Sequence, residues 1–292
     1  MKHVLTLALL ASCAFGQQPK TFDTPEAAVQ ALIDATSKND SHALAAILGS
    51  TAQGLLTSGD PQRDQAERSE FAQLANTKHS LEKSSMRANT MVLLVGDQRW
   101  PFPVPLIRTK DQWHFDPAAG SIEVRARRVG ANELDAIEIC AGYVEAQQAF
   151  AAGRRSGAAT MEYARNIVSS PGQKDGLYAP GASPELVPEG FANAAVESPT
   201  RPAKPYHGYY FRVLREQGTN APGGPHRYLA GKYMIGGFAL IAWPAEYAVT
   251  GVHTFIVNQD GTVYEKDLGT QTSTAARAIV RYDPDSSWTP VD

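Results

Sequence analysis

The first apolar pattern of the chain predicts short helices. Thr24 is a suitable N-cap and Pro25 a suitable first helical residue. The residues of one apolar face then recur at helical spacing: Val29, Leu32 and Ile33. The same pattern predicts a second, short helix that ends at Gly49 and a third, mostly polar helix over residues 63–79.

Strand patterns follow the helices. Residues 90–95, 100–107 and 112–115 are rich in β-branched and aromatic residues. In the middle segment, proline occupies alternate positions, which removes every second backbone donor, so that strand must lie at an edge or contain a bulge. Helices followed by an antiparallel sheet are typical of the α+β class.

A longer helical pattern comes next, with Asn132 as its expected cap and Gly153 as its end. The segment holds Cys140, which we expect to be a buried thiol. A further helical piece is predicted over residues 161–167. Glycine and proline then dominate residues 169–190, where we expect a long loop.

The last third of the chain has the alternation of a sheet. Strands are predicted over residues 207–214, 228–243, 252–257 and 262–266, and Asp260-Gly261 is a hairpin signal. In the first of these strands, Tyr209 and Phe211 face one side, which we expect to be buried, and Tyr210 faces the other. The fold class is therefore predicted as α+β, with two modules that each pack helices on a curved antiparallel sheet.

The N-terminus changes the picture of where the protein resides. Residues 1–16 have a short positive start, an apolar run and small residues, which is the order of a secretory signal peptide. An alternative cut resembles a bacterial lipobox and would make Cys13 a lipid attachment site. We expect an exported protein of the periplasm or the extracellular space, with no transmembrane span. The near-balanced charge of −3 argues against a nucleic-acid partner.

Candidate chemistry is sparse. No pair of histidines has the spacing of a helical zinc site, and neither a GxSxG motif nor a phosphate loop is present, so we predict no metal and no cofactor. His207, His226 and His253 all lie in the predicted sheet region, but single surface histidines are common, so we do not expect them to hold one metal together. The best catalytic candidates are His114 and Asp116, beside Trp113. The candidates for ligand binding are aromatic: Tyr209, Trp243 and Tyr247.

Five segments carry a resemblance to a known family. They are SSPGQKDGLY, PYHGYYFRVL, NAPGG, YDPDSSW and the long run MIGGFALIAWPAEYAVTGVHTFIVNQDGTVYEKDLG. With them the chain resembles a family of exported bacterial proteins named domain of unknown function 2950, or DUF2950. The resemblance implies an exported location and brings no activity with it.

Two broader resemblances concern the parts of the chain. Residues 21–119, through the opening TPEAAVQALIDATSKNDSHALAAILG and the later WPFPVPLIRTKDQWHFD, resemble the NTF2-like fold. Residues 120–292 resemble the soluble region of type IV pilins and pseudopilins. A pilin, however, needs an apolar N-terminal half-helix, whereas the corresponding helix here is internal and carries Glu133, Asp135, Glu138 and Glu145.

These observations lead to one hypothesis and two rivals. We expect an exported cell-envelope protein, a non-enzymatic binding or assembly module whose partner is an unidentified envelope protein or a small ligand. The first rival is an NTF2-like hydrolase or isomerase that uses a polar pocket with His114 and Asp116. The second is a structural subunit of a pilin-related export system. An Asp116→Asn variant with unchanged activity would remove the first rival.

Overall fold

A computed structural model of the chain describes residues 18–49, 61–153, 161–181, 185–197 and 202–291. The predicted signal peptide and Cys13 lie outside these residues. The chain divides into two compact units, one running up to Arg125 and the other from Ala126 onwards. The secondary structure combines helices with mainly antiparallel sheets, so the α+β class predicted from the sequence is confirmed.

Within its described residues, the first unit contains three helices and a five-stranded sheet. Its elements are α1 (Pro25–Ser37), α2 (Ser41–Leu48), α3 (Pro61–Thr77), β1 (His79–Lys83), β2 (Thr90–Val95), β3 (Trp100–Pro101), β4 (Leu106–Thr109) and β5 (Gln112–Phe115). The strands are antiparallel in the order β1-β2-β4-β5, and β3 also pairs with β2. The predicted strand over residues 100–107 is thus two short strands, because the alternating prolines interrupt its hydrogen bonding.

The helix starts of the first unit follow their sequence signals. The Ala27 amide donates to Thr24 Oγ1 at 3.1 Å, and the Ala43 amide donates to the Asp40 carboxylate at 2.9 Å. These side chains satisfy amides that have no partner inside a helix. The helices then pack on the sheet through one apolar cluster, whose largest buried members include Phe22, Leu32, Ile33 and Phe115.

The long helix α4 (Pro117–Gly153) begins 15 residues before the predicted cap at Asn132 and continues from the first unit into the second. The prediction of its start was wrong because Asp116-Pro117 supplies a stronger signal. The Asp116 carboxylate accepts hydrogen bonds from the amides of Ala118 and Ala119, both at 3.1 Å. Asn132 instead donates its side-chain amide to the Thr250 carbonyl at 2.8 Å.

The second unit is built on another five-stranded antiparallel sheet, in the order β16-β15-β14-β13-β8. Its strands are β8 (Tyr209–Leu214), β13 (Ala239–Pro244), β14 (His253–Asn258), β15 (Tyr264–Asp267) and β16 (Thr289–Pro290). Three small ribbons accompany it: β6 (Asn166–Val168) with β7 (Gly176–Tyr178), β9 (Glu216–Gln217) with β10 (His226–Arg227), and β11 (Leu229–Ala230) with β12 (Tyr233–Met234). Two short helices complete the unit, α5 (Glu189–Asn193) and α6 (Thr272–Ala278).

Helices cover both faces of this sheet. On the α4 face, the Tyr143 ring lies 5.6 Å from Phe238 and Phe211 contacts Phe191 of α5 at 4.9 Å. On the α6 face, the Arg212 guanidinium donates to three carbonyls at the end of α6, including Ile279 at 2.6 Å. Every residue of the central strand β13 is therefore buried, which explains its continuous apolar sequence.

The sequence prediction of a helix over residues 161–167 is wrong. Residues 166–168 form β6, which pairs with β7 in parallel. The Glu197 carboxylate accepts the amides of Ile167 at 2.6 Å and Val168 at 3.2 Å. A partner some 30 residues away in the chain thus outweighs local helix propensity. The hairpin at Asp260-Gly261 is confirmed, since β14 and β15 are antiparallel neighbours on either side of it.

Over the parts of the chain described above, no helix combines the length and the apolar character needed to cross a membrane.

Candidate functional site

The two catalytic candidates, His114 and Asp116, lie at the end of β5 in the first unit. Asp116 caps α4, and its other carboxylate oxygen lies 3.8 Å from the Arg87 guanidinium. The Nδ1 atom of His114 is buried and has no hydrogen-bond partner among the described residues. The contacts of Asp116 thus give it a structural role at a helix start.

The aromatic candidates for ligand binding are mostly interior. Tyr209 and Trp243 are both 0% exposed. The Tyr209 hydroxyl donates to the His253 carbonyl at 2.9 Å, and burial raises the pKa of this phenol. Two guanidinium groups, those of Arg212 and Arg277, lie 5.9 and 5.7 Å from the Trp243 ring centre. Both aromatic side chains are therefore occupied by packing, which leaves no surface for a ligand in this conformation.

The remaining sequence candidates lie apart from one another. The Tyr247 hydroxyl donates to Asp267 at 3.1 Å, in a turn after β13. His207 contacts Asp135, His253 contacts Glu133, and the ring nitrogens of His226 contact carbonyl oxygens. Within the described residues no group of three or more His, Cys, Asp or Glu side chains is placed to hold a metal.

A concave feature of the second unit lies beside α4. We call it the α4 cleft, and its volume is about 550 Å³. It lies between one face of α4, the segment that leads into α5, and the turn before β8. Its lining residues are Asp135, Glu138, Ile139, Gly142, Tyr143, Glu145, Ala146, Ala149, Glu185, Leu186, Val187, Pro188, Phe191, Tyr206 and His207. This size is typical of sites for small molecules or short peptide segments.

Four carboxylates of the described lining face the α4 cleft, and three of them have no partner among the residues that the structure describes. The side chains of Glu138, Glu145 and Glu185 are exposed and make no hydrogen bond or ion pair with any described residue. The fourth, Asp135, contacts His207, with Nδ1 and Oδ2 2.5 Å apart. No lysine or arginine is among the described lining residues. The cleft therefore carries a concentrated negative charge that the described residues do not neutralise.

The helical period separates the acidic and apolar sides of the cleft. At 100° per residue, Asp135, Glu138 and Glu145 fall within about 80° of one another on α4. Ile139, Tyr143 and Ala146 fall on the neighbouring arc, toward the core. On the opposite wall, Val187 and Phe191 are buried and contribute further apolar surface. The result is an apolar floor bordered by carboxylates.

The mouth of the cleft is formed by a tight turn. His207 and Gly208 both have positive φ, 48° and 75°, and reciprocal backbone hydrogen bonds of 3.0 Å join Tyr206 and Tyr209 around them. Positive φ is unfavourable for histidine, so the contact with Asp135 holds a strained residue in place. The Tyr206 ring packs edge-on against the imidazole at 4.3 Å. Side chains at this mouth are thus fixed before any ligand arrives.

A family model of a protein of unknown function, DUF2950, matches residues 19–291 of the chain. The chain belongs to DUF2950. The family resemblance read from the sequence is therefore confirmed, and the match covers both units. No curated protein and no solved structure matches the chain. The NTF2-like and pilin-like resemblances stay predictions.

The α4 cleft of this DUF2950 protein escaped sequence reasoning. In the sequence, its carboxylates on α4 indicate only that the helix does not suit a pilin fibre, and His207 is only one of several scattered histidines. The cleft joins residues 135–149 to residues 185–207, which lie at least 36 positions further along the chain, and no local pattern reveals this. The sequence does hold one signal of the cleft. α4 lies in the middle of the chain, and its acidic and apolar residues alternate at helical spacing.

Proposed function

We propose that this DUF2950 protein is an exported cell-envelope binding module, without catalytic activity, and that the α4 cleft is its ligand site. The observation that carries the proposal is the cleft itself: an apolar floor, a carboxylate border and a prearranged mouth in one unit. Binding sites of this kind join an apolar surface to a few fixed polar groups. The family match brings no activity that would favour another role.

The lining of the cleft favours binding over catalysis. Its described lining residues include no serine, threonine, cysteine or lysine, and the one histidine among them, His207, is already in contact with Asp135. The one cysteine described, Cys140, lies on the buried side of α4, and burial raises its pKa to about 12. A thiol with that pKa stays protonated at neutral pH and is inert.

The proposal of export depends on the N-terminal sequence. Residues 1–16 have the order of a signal peptide, and the alternative cut would attach a lipid at Cys13. Either processing step would place the protein at the cell envelope. The exported family that the sequence resembles supports the same location. The NTF2-like and pilin-like folds remain our proposals for the first and second parts of the chain.

Photo-crosslinking tests the proposed site. A benzoylphenylalanine in place of Leu186, a half-buried residue of the cleft wall, exchanges one large apolar side chain for another and leaves the small residues of α4 unchanged. Irradiation of intact cell envelopes should give a discrete adduct at this position. The control is the same replacement at Leu134, an exposed leucine of α4 outside the cleft lining. Equal labelling at both positions, or none, would exclude the α4 cleft as the binding site.

A further inference from the structure

We infer that the ligand of the α4 cleft is a peptide segment that carries lysine or arginine side chains alternating with apolar ones. This inference rests on the proposed function and narrows it to one chemical class of partner. It depends on three features of the cleft: the sign of its charge, the length over which the carboxylates extend along α4, and the small residues in its floor.

Charge gives the first argument. Glu138, Glu145 and Glu185 are unpaired among the described residues, and the one basic side chain in the described lining, His207, is already in contact with Asp135. Unpaired carboxylates beside an apolar floor attract a cation more strongly than carboxylates in bulk solvent, because the low-dielectric wall focuses their field. An acidic partner would meet repulsion from the same groups.

The length over which the carboxylates extend along α4 gives the second argument. From Asp135 to Glu145 the helix rises about 15 Å, and the lining continues to Ala149, about 21 Å from Asp135. A linear cleft of that length matches about six residues of extended peptide. Alternate side chains of such a segment point to opposite sides. One set would meet the carboxylates on α4, and the other would meet the apolar wall that contains Leu186 and Phe191.

The floor of the cleft gives the third argument. Gly142 lies in the middle of a long helix, where glycine costs roughly 1 kcal/mol relative to alanine. No packing in the described structure requires it, since an added Cβ would meet nothing within 4 Å. Ala146 and Ala149 follow at helical spacing. Small residues along one line of a helix let another backbone approach closely, which suits a peptide better than a compact cation.

Peptide binding tests the inference on the purified full chain. The probes are three capped peptides of about six residues in which leucine alternates with lysine, glutamine or glutamate. Isothermal titration at low ionic strength should show binding of the lysine peptide that is at least about tenfold tighter than that of the glutamine peptide. The glutamate peptide should not bind. Raising the ionic strength should remove most of the difference, because exposed charges are screened.

Variants locate the binding. A Glu138→Gln/Glu145→Gln double variant should weaken lysine-peptide affinity about tenfold, whereas a Glu70→Gln/Glu246→Gln variant, with the same change in net charge away from the cleft, should not. Gly142→Leu should block the peptide, and Gly130→Leu should leave it bound. These glycines face open space, so the chain should fold with either leucine.

The outcomes separate the claim that the α4 cleft binds a ligand from the claim that this ligand is a peptide with basic and apolar side chains. If the glutamine peptide binds as tightly as the lysine peptide and Gly142→Leu blocks both, the cleft is a binding site but the inferred class of ligand is wrong. If spermidine competes with the lysine peptide at equal concentration, the site recognises compact cations and the peptide inference fails. Lysine-peptide binding that survives Gly142→Leu, or no binding of that peptide, also overturns the inference. The crosslinking result at position 186 judges the proposed function separately.

Discussion

The two ends of α4 use similar residues for different purposes. At its start, in the first unit, Asp116 caps the helix and Gly120 packs closely on Val104, so both residues have partners. In the second unit, Glu145 has no ionic partner among the described residues and Gly142 has open space in front of it. The residues at the start of α4 therefore make contacts that stabilise the fold, and we call such residues committed. Glu145 and Gly142, further along the same helix, make no such contacts, and we call them uncommitted.

The difference indicates where a ligand belongs. A carboxylate or a glycine that the fold itself requires is explained by stability. The α4 cleft concentrates the residues that stability does not explain. Variants of both groups of residues test this contrast, and the largest effect is expected at the residue that is packed most deeply in the core.

Trp243→Ala should cause the largest loss of stability, about 3–5 kcal/mol, because the ring is 0% exposed and two guanidiniums pack on it. Urea unfolding followed by circular dichroism measures the change. Trp243→Phe is the control and should lose less, since the Nε1 atom has no hydrogen-bond partner among the described residues. If Trp243→Ala kept its stability and instead lost ligand binding, Trp243 would belong to the uncommitted group.

Gly120→Ala should destabilise the first unit by about 2 kcal/mol. A Cβ there would lie 2.7 Å from Val104 Cγ2 and 3.2 Å from the Val104 Cα, so the backbone would have to shift. The midpoint of urea unfolding measures the loss. Val104→Ala combined with Gly120→Ala should cost less than the sum of the two single changes, because it removes the clash. Strict additivity would show that the contact does not determine the choice of glycine.

Sequence reasoning succeeded where a signal is local. Thr24 marks the start of α1 and Asp260-Gly261 marks a hairpin, because capping and turn formation depend on neighbouring residues. The α4 cleft depends on residues 135–149 meeting Glu185 and His207, and only tertiary packing brings these together. Trp243 is predicted as a binding residue from its place near a strand end, and its burial between the sheet and a helix is a tertiary feature that the local pattern does not reveal.

Asp175 is a committed carboxylate of the second unit. Burial raises the pKa of Asp175, but hydrogen bonds from Ser170 and the Arg165 guanidinium outweigh it, so the net pKa is lowered. A lowered folded pKa stabilises the fold above the unfolded value of about 4, and the contribution is lost as pH falls through the folded pKa. Asp175→Asn should therefore cost roughly 1.5 kcal/mol at pH 7 and progressively less below about pH 4.

Urea unfolding of wild type and Asp175→Asn at pH 7, 5 and 3 measures this dependence. Glu145→Gln is the matched control, because Glu145 lacks an ionic partner among the described residues; its stability should match wild type within about 0.5 kcal/mol. An Asp175→Asn difference that stays constant down to pH 3 would rule out a contribution from the ionised carboxylate.

Asp116→Ala should cost about 1 kcal/mol, because two amides at the start of α4 lose their acceptor. Asp116→Asn should cost only a few tenths, since asparagine is also a good cap. Thermal unfolding of the two variants separates these values. An equal loss in both would assign the role of Asp116 to its charge, through the helix dipole and Arg87 at 3.8 Å.

Gly142→Ala has the smallest expected effect and an opposite sign: a gain in stability of up to about 1 kcal/mol, because alanine is the better helix former and its Cβ meets nothing within 4 Å. Gly130→Ala on the same helix should gain a similar amount. The variants should separate in titrations with the lysine peptide, where only Gly142→Ala weakens binding. A residue whose replacement stabilises the fold and impairs binding has been retained for the ligand, whereas equal affinity in both variants would leave Gly142 without that explanation.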